Sequence, residues 1–140
     1  YASDTDAARC MGVVMAKSLP HLPLDEVIIV PVPTTSSRRR ERGFDQARIM
    51  AAEVAKYTST AMLPALVRVI SSHQVGSTRK ERLEHMVHGF EPRRPLFIKG
   101  KTVVLVDDVF TMGATIEAAA RAVCSAGANR VIAAVFARTM

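Results

Sequence analysis

A chain of 140 residues with 49% hydrophobic and 23% charged residues has ordinary globular composition and enough length for one core. No apolar run approaches the ~20 residues that cross a bilayer, which excludes a membrane-spanning helix among these residues. A formal charge of +6 and a pI near 9.9 point to anionic partners, while 5% aromatics and no Trp argue against base stacking as the main recognition device.

Ser3 with Asp6 has the spacing of a capping box, and Ala8, Met11, Met15 and Leu19 follow at helical spacing. The first element is therefore a helix, ended by Pro20. Val27 to Val30 is a short apolar strand stopped by Pro31 and Pro33, and a loop rich in hydroxyls and arginine follows. Phe44 to Tyr57 reads as a helix with Ile49, Met50, Val54 and Tyr57 on one face, and Ala65 to Ile70 as a second strand. Ser71 to Pro95 is polar, basic and irregular, with one short helix where Thr78 and Glu81 have capping-box spacing. Val103 to Val106 is a third strand, Ile116 to Ala126 a helix closed by Gly127, and Val131 to Phe136 a last strand.

Strands alternating with helices predict a doubly wound α/β domain over 1–140, with a mainly parallel sheet and helices on both faces. With Tyr1 first and no leader pattern, the chain reads as an excerpt of a longer one. Cys10 and Cys124 fall on apolar faces of the predicted helices, as buried, inert thiols of a reducing, cytoplasmic setting. His85 and His88 lie three apart without a third ligand, so no metal site is expected there.

Ligands of such sheets bind beyond the carboxyl ends of the strands. Three chemical segments converge there: Pro31 to Ser37, Ser71 onward, and the run from Val103 to Thr115. In that last run an apolar strand meets Asp107 and Asp108, then a small, hydroxyl-bearing turn, then a helix. Backbone N–H groups, hydroxyls and a helix dipole in one turn suit a phosphate. Two carboxylates at the mouth suit sugar hydroxyls or a hard cation, so the run reads as a site for a phosphorylated ribose. The plainer alternative is a structural crossover whose aspartates cap the helix. Between Pro31 and Gly43, the hydroxyls of Thr34 and Thr35 and the Arg38–Arg42 cluster suit a pyrophosphate; a solvated basic loop is the alternative.

Four apolar residues, Asp107-Asp108, two apolar residues and Thr111-Met112-Gly113-Ala114-Thr115 resemble the phosphoribosyl-pyrophosphate (PRPP) motif of type I phosphoribosyltransferases. Met112 departs from the commoner Thr. Val30-Pro31-Val32-Pro33, Arg39 and Arg42-Gly43-Phe44-Asp45-Gln46-Ala47 resemble the signature of the ComF family, phosphoribosyltransferase-like proteins tied to DNA uptake, with Asp45 in place of Asn. Gln74, Arg82 and Gly89-Phe90 match its spaced Gln…Arg…Phe pattern, although His85 replaces the usual Asn and Ser77 the usual Leu. The four-cysteine zinc module of many ComF-type proteins has no counterpart in these residues.

The resemblance implies a Mg²⁺-dependent glycosyltransferase, a phosphoribosyltransferase. Asp107 and Asp108 would be its catalytic residues and its Mg²⁺ contacts, mostly through PRPP and water. Val109, Phe110, Thr111, Met112, Gly113, Ala114 and Thr115 would hold the 5′-phosphate. Pro33, Thr34, Thr35, Arg39 and Arg42 would receive the pyrophosphate. Gln74, Arg79, Lys80 and Arg82 would belong to a mobile loop closing over the ligand. Its ligand would be PRPP or another phosphorylated ribose, with a homodimer as a further expectation. Two alternatives stay open: a non-catalytic DNA-uptake accessory protein binding single-stranded DNA, and a regulator that senses PRPP.

Overall fold

The computed structural model describes residues 2–19, 26–69 and 89–139. Its elements are α1 (Ala2–Ser18), β1 (Val27–Pro31), α2 (Ser36–Arg42), α3 (Gln46–Thr58), β2 (Ala61–Met62) and β3 (Leu66–Arg68), followed by β4 (Phe90–Pro92), α4 (Pro95–Ile98), β5 (Thr102–Phe110), α5 (Ala114–Ser125) and β6 (Arg130–Arg138). Four strands form a parallel sheet in the order β2-β1-β5-β6. β1 lies in register with β5 from Val27 against Thr102 to Pro31 against Val106.

The apolar strands are continuous because both faces of the sheet are covered. Alternation sends Ile29, Val104 and Val106 toward Met15 of α1 and Met50, Ala51 and Val54 of α3. Ile28, Val30, Val103 and Leu105 face Ile116, Ala119 and Val123 of α5, together with Ile98, Leu66 and Phe90. Burying each Val, Leu or Ile contributes about 1.5–3 kcal/mol, so these two layers dominate the stability of the sheet. Helices α1 and α3 come unusually close. A Cβ built on Gly12 would lie 2.7 Å from the carbonyl oxygen of Met50 and 2.9 Å from Cβ of Glu53.

Several expectations are corrected. Ser3 lies inside α1 rather than capping it, since the helix already includes Ala2. The third helix begins at Gln46, capped by the Asp45 carboxylate, and Tyr57 is 54% exposed rather than part of the buried face. The Ala65–Ile70 strand shortens to β3 and leaves the parallel sheet, pairing antiparallel with β4 in a separate ribbon. That partner is three residues long and ends in Pro92, too little for a period of two to show. The arginine-rich loop contains α2, which has no buried residue and so no apolar stripe to announce it. Cys10 and Cys124 are free and exposed, not buried. The buried stripe of α1 runs through Ala8, Gly12, Met15 and Ala16, and Cys10 lies about 200° around the helix from Ala8. Pro20, the Thr78–Glu81 capping box, and His85 and His88 lie outside the described residues. Among the described residues no helix is long and apolar enough to cross a membrane.

Candidate functional site

β5 is longer than its apolar run. It continues through Asp107 and Asp108 to Phe110, still paired with β6 at Asp107–Val135, Val109–Ala137 and Phe110–Arg138. Both carboxylates therefore stand on a strand, and alternation points them to opposite faces. Asp107 shares the side of Leu105, toward the β3–β4 ribbon, and Asp108 shares the side of Val106, toward α3.

Each carboxylate is held by the next backbone amide. Asp108 N–H donates to Asp107 Oδ1 at 2.9 Å, and Val109 N–H to Asp108 Oδ1 at 2.9 Å. Arg42, at the end of α2, donates from Nη1 to Asp108 Oδ2 at 3.2 Å and to Gln46 Oε1 at 2.5 Å. Among the described residues Asp107 makes no ion pair. Burial raises its pKa to about 7, the Asp108 charge adds to the rise, and the Asp108 amide and the Arg68 charge oppose it. Near neutral pH the Asp107 carboxyl of the free site is thus about half-protonated.

The turn after β5 leads into α5 through Gly113, whose φ of 80° is the left-handed conformation that favours glycine. Among the described residues no side chain caps α5, which leaves its first N–H groups open to an anion. Among the described residues the Thr111 and Thr115 hydroxyls have no hydrogen-bond partner, and Met112 is 93% exposed. The Phe110 ring lies under the turn, 2.8 Å from where a Cβ on Gly113 would sit. Arg138 stacks over that ring, 5.5 Å from its centroid. Val109 and Phe110 remain in the strand, and the Val109 amide is already taken by Asp108. The turn and first helical residues, Thr111 to Thr115, follow directly on the strand.

Across the site, the loop after β1 is pinned by Val32 N–H donating to the Val106 carbonyl at 2.9 Å. Pro33, Thr34 and Thr35 are partly buried there. Thr35 caps α2, its Oγ1 accepting from Arg38 N–H at 3.3 Å. Arg39 is exposed on α2, and Arg42 turns back to the carboxylates. The site thus brings together Asp107, Asp108, Arg42, the 31–35 loop and the 111–115 turn. Gln74, Arg79, Lys80 and Arg82 lie outside the described residues.

Arg68 and Arg138 were not foreseen. Arg68 ends β3, donates from Nε to the Pro33 carbonyl at 3.3 Å and stacks 4.8 Å over Phe90. A lone cation within an apolar strand was the signal available for Arg68. For Arg138 there was none, because its ring partner is set by sheet register.

Among the described residues no group of three or more His, Cys, Asp or Glu could hold a metal ion. Asp107 and Asp108 offer hard oxygen donors, but on opposite faces of a strand and with Asp108 already paired to Arg42. That donor set fits a Mg²⁺ held mainly by ligand oxygens and water, with few protein contacts.

Residues 16–140 match the family described as phosphoribosyl transferase domain. The chain is similar to the competence protein ComFC of Bacillus subtilis (strain 168), 29% identical over 71% of this chain and 39% of that protein. It is similar also to the DNA utilization protein YhgH of Salmonella typhi, 32% identical over 85% of this chain and 52% of that protein. It therefore spans about half or less of the curated relatives it matches. Among solved structures, an allosteric regulatory enzyme of purine biosynthesis superposes with a TM-score of 0.68 at 19% identity, over 94% of this chain and 26% of the other, a likeness of fold. With its parallel sheet, its Asp-Asp strand end and its phosphate-type turn, the chain belongs to the phosphoribosyl transferase domain family, as a ComF-type, phosphoribosyltransferase-like member.

Proposed function

We propose that this domain binds PRPP or another 5-phosphorylated ribose and transfers or recognises the phosphoribosyl group. One observation carries the reading: two carboxylates stand near the carboxyl end of a parallel strand that stops three residues before a helix with no side-chain cap. The 5′-phosphate would sit against the N–H groups of Thr111 to Thr115, where the helix dipole favours an anion. Asp107 and Asp108 would accept from the ribose hydroxyls. The loop at Pro33 to Thr35, with Arg39 and Arg42 beyond it, would receive the pyrophosphate. Asp107 or Asp108, together with ligand oxygens, would hold a Mg²⁺ ion, which would supply positive charge to the pyrophosphate.

Catalysis in such a site rests on placement and charge, not on a covalent nucleophile. A cationic sugar centre near Asp107 favours its ionised form, and the ionised carboxylate in turn would stabilise that charge. Asp108 accepts one bond on each oxygen, from Arg42 and from the Val109 amide, which leaves acceptor capacity for a ligand hydroxyl beside the Arg42 guanidinium.

A second reading, single-stranded DNA binding without turnover, is favoured by the exposed arginines of α2 and by the names of the relatives, competence and DNA utilization. Calorimetric titration of PRPP with and without Mg²⁺, in the wild type and in Asp107→Asn with Asp108→Asn, separates the two. The phosphoribosyl reading expects Mg²⁺-dependent binding that the double substitution removes while the fold stays intact. Unchanged PRPP affinity in the double variant would overturn it.

A further inference from the structure

We propose that Arg68 recognises the diphosphate end of the ligand; the inference rests on the phosphoribosyl reading above and assigns one of its contacts to a residue outside the family motifs. Three observations carry it. The guanidinium is fixed in place, with Nε bound to the Pro33 carbonyl and the plane stacked on Phe90. Two contacts on different elements leave little rotamer freedom, so an oxyanion would meet a preformed fork.

The second observation is the donors left over. Arg carries five N–H groups, and only Nε has a hydrogen-bond acceptor among the described residues. The remaining four lie on Nη1 and Nη2, a geometry that takes phosphate oxygens in pairs.

The third is the charge around it. Arg68 is partly buried, and burial, with the like charge of Arg38, disfavours its cationic form; Asp107 alone opposes them. A partly desolvated cation beside a second cation is an arrangement that a bound polyanion stabilises. The loop that Arg68 touches is the one that follows β1, whereas the 111–115 turn follows β5. Arg68 is therefore assigned to the diphosphate and not to the 5′-phosphate.

Inorganic pyrophosphate and ribose 5-phosphate, each with Mg²⁺, are titrated separately into the wild type, Arg68→Met and Arg68→Lys. Met keeps an apolar stem over Phe90, and Lys keeps the charge without the fork. Arg68→Met is expected to weaken pyrophosphate and PRPP about 10- to 100-fold, with ribose 5-phosphate within about twofold of the wild type. Arg68→Lys should recover only part of that loss. Equal losses for both ligands would mean a structural role and overturn the assignment, as would unchanged pyrophosphate affinity in both variants. Wild-type protein that binds neither ligand would overturn the phosphoribosyl reading itself, and this assignment with it.

Discussion

Replacing Gly12 with Ala adds one methyl group where α1 lies closest to α3. That methyl would meet the Met50 carbonyl oxygen at 2.7 Å, Cβ of Glu53 at 2.9 Å and Cα of Met50 at 3.0 Å. Backbone and Cβ atoms cannot swing aside as the tip of a flexible side chain can. The helices must instead part by roughly 0.7 Å to reach ordinary contact, loosening Ala8, Met15 and Ala16 against the sheet. Overpacking of this kind costs about 1–3 kcal/mol, while Ala gains up to about 1 kcal/mol over Gly in a helix. The net expectation is a loss of about 1–2 kcal/mol, a fall in Tm of about 3–8 °C for a chain of this size. Thermal and urea unfolding followed by circular dichroism measure it, with Val14→Ala as a control at a position 54% exposed on the same helix. A Gly12→Ala protein as stable as the wild type, or more so, would refute the close approach.

The raised pKa of Asp107 fixes the sign of a pH effect. Folded protein retains at pH 5–6 a proton that the unfolded chain, with a pKa of 3.8, has released, so this group's contribution to stability falls as pH rises from about 4 to about 7. Asp107→Asn should flatten the Tm–pH profile over that window; an identical profile would show that Asp107 is not buried as described. Gly113→Ala combines a left-handed φ of 80° with a clash against Phe110 and should cost about 1–2 kcal/mol. Ribose 5-phosphate binding, followed calorimetrically, should weaken in the same variant. Arg42→Ala removes a pair that is 43% exposed on the arginine side and should change stability by less than about 1 kcal/mol in denaturant melts. If α2 also contacts single-stranded DNA, fluorescence anisotropy should give a log–log salt slope of about −1.4 to −2.8 for two to four phosphates, and Arg42→Ala should reduce it by about 0.7.

The parallel core was legible because Val27 to Val30 and Val103 to Val106 are apolar on both faces, which only a strand covered on both sides requires. The Asp-Asp pair and the turn to Thr115 were legible because local order alone puts carboxylates, amides and a helix start together. Sequence did not reveal that Asp107 and Asp108 face opposite ways, since that depends on β5 continuing past Val106. It did not reveal Arg68 either, whose contacts to Pro33 and Phe90 cross 35 and 22 residues of chain. α2 was hidden for a different reason: a helix with no buried face leaves no apolar period to read. Cys10 and Cys124 lie roughly opposite the buried stripes of their helices, and apolar neighbours such as Val13, Val14 and Ala120 leave the buried face ambiguous in the sequence.

Amide shifts of the protein titrated with ribose 5-phosphate and Mg²⁺ locate the phosphate without reference to turnover. The expected result is saturable movement of the Thr111 to Thr115 amides, with Asp108 and Val109 following as the carboxylates engage the sugar, and no such movement in Asp107→Asn with Asp108→Asn. Shifts confined to Arg38 through Arg42, with the 111–115 amides unmoved, would contradict the assignment of this turn as the phosphate site.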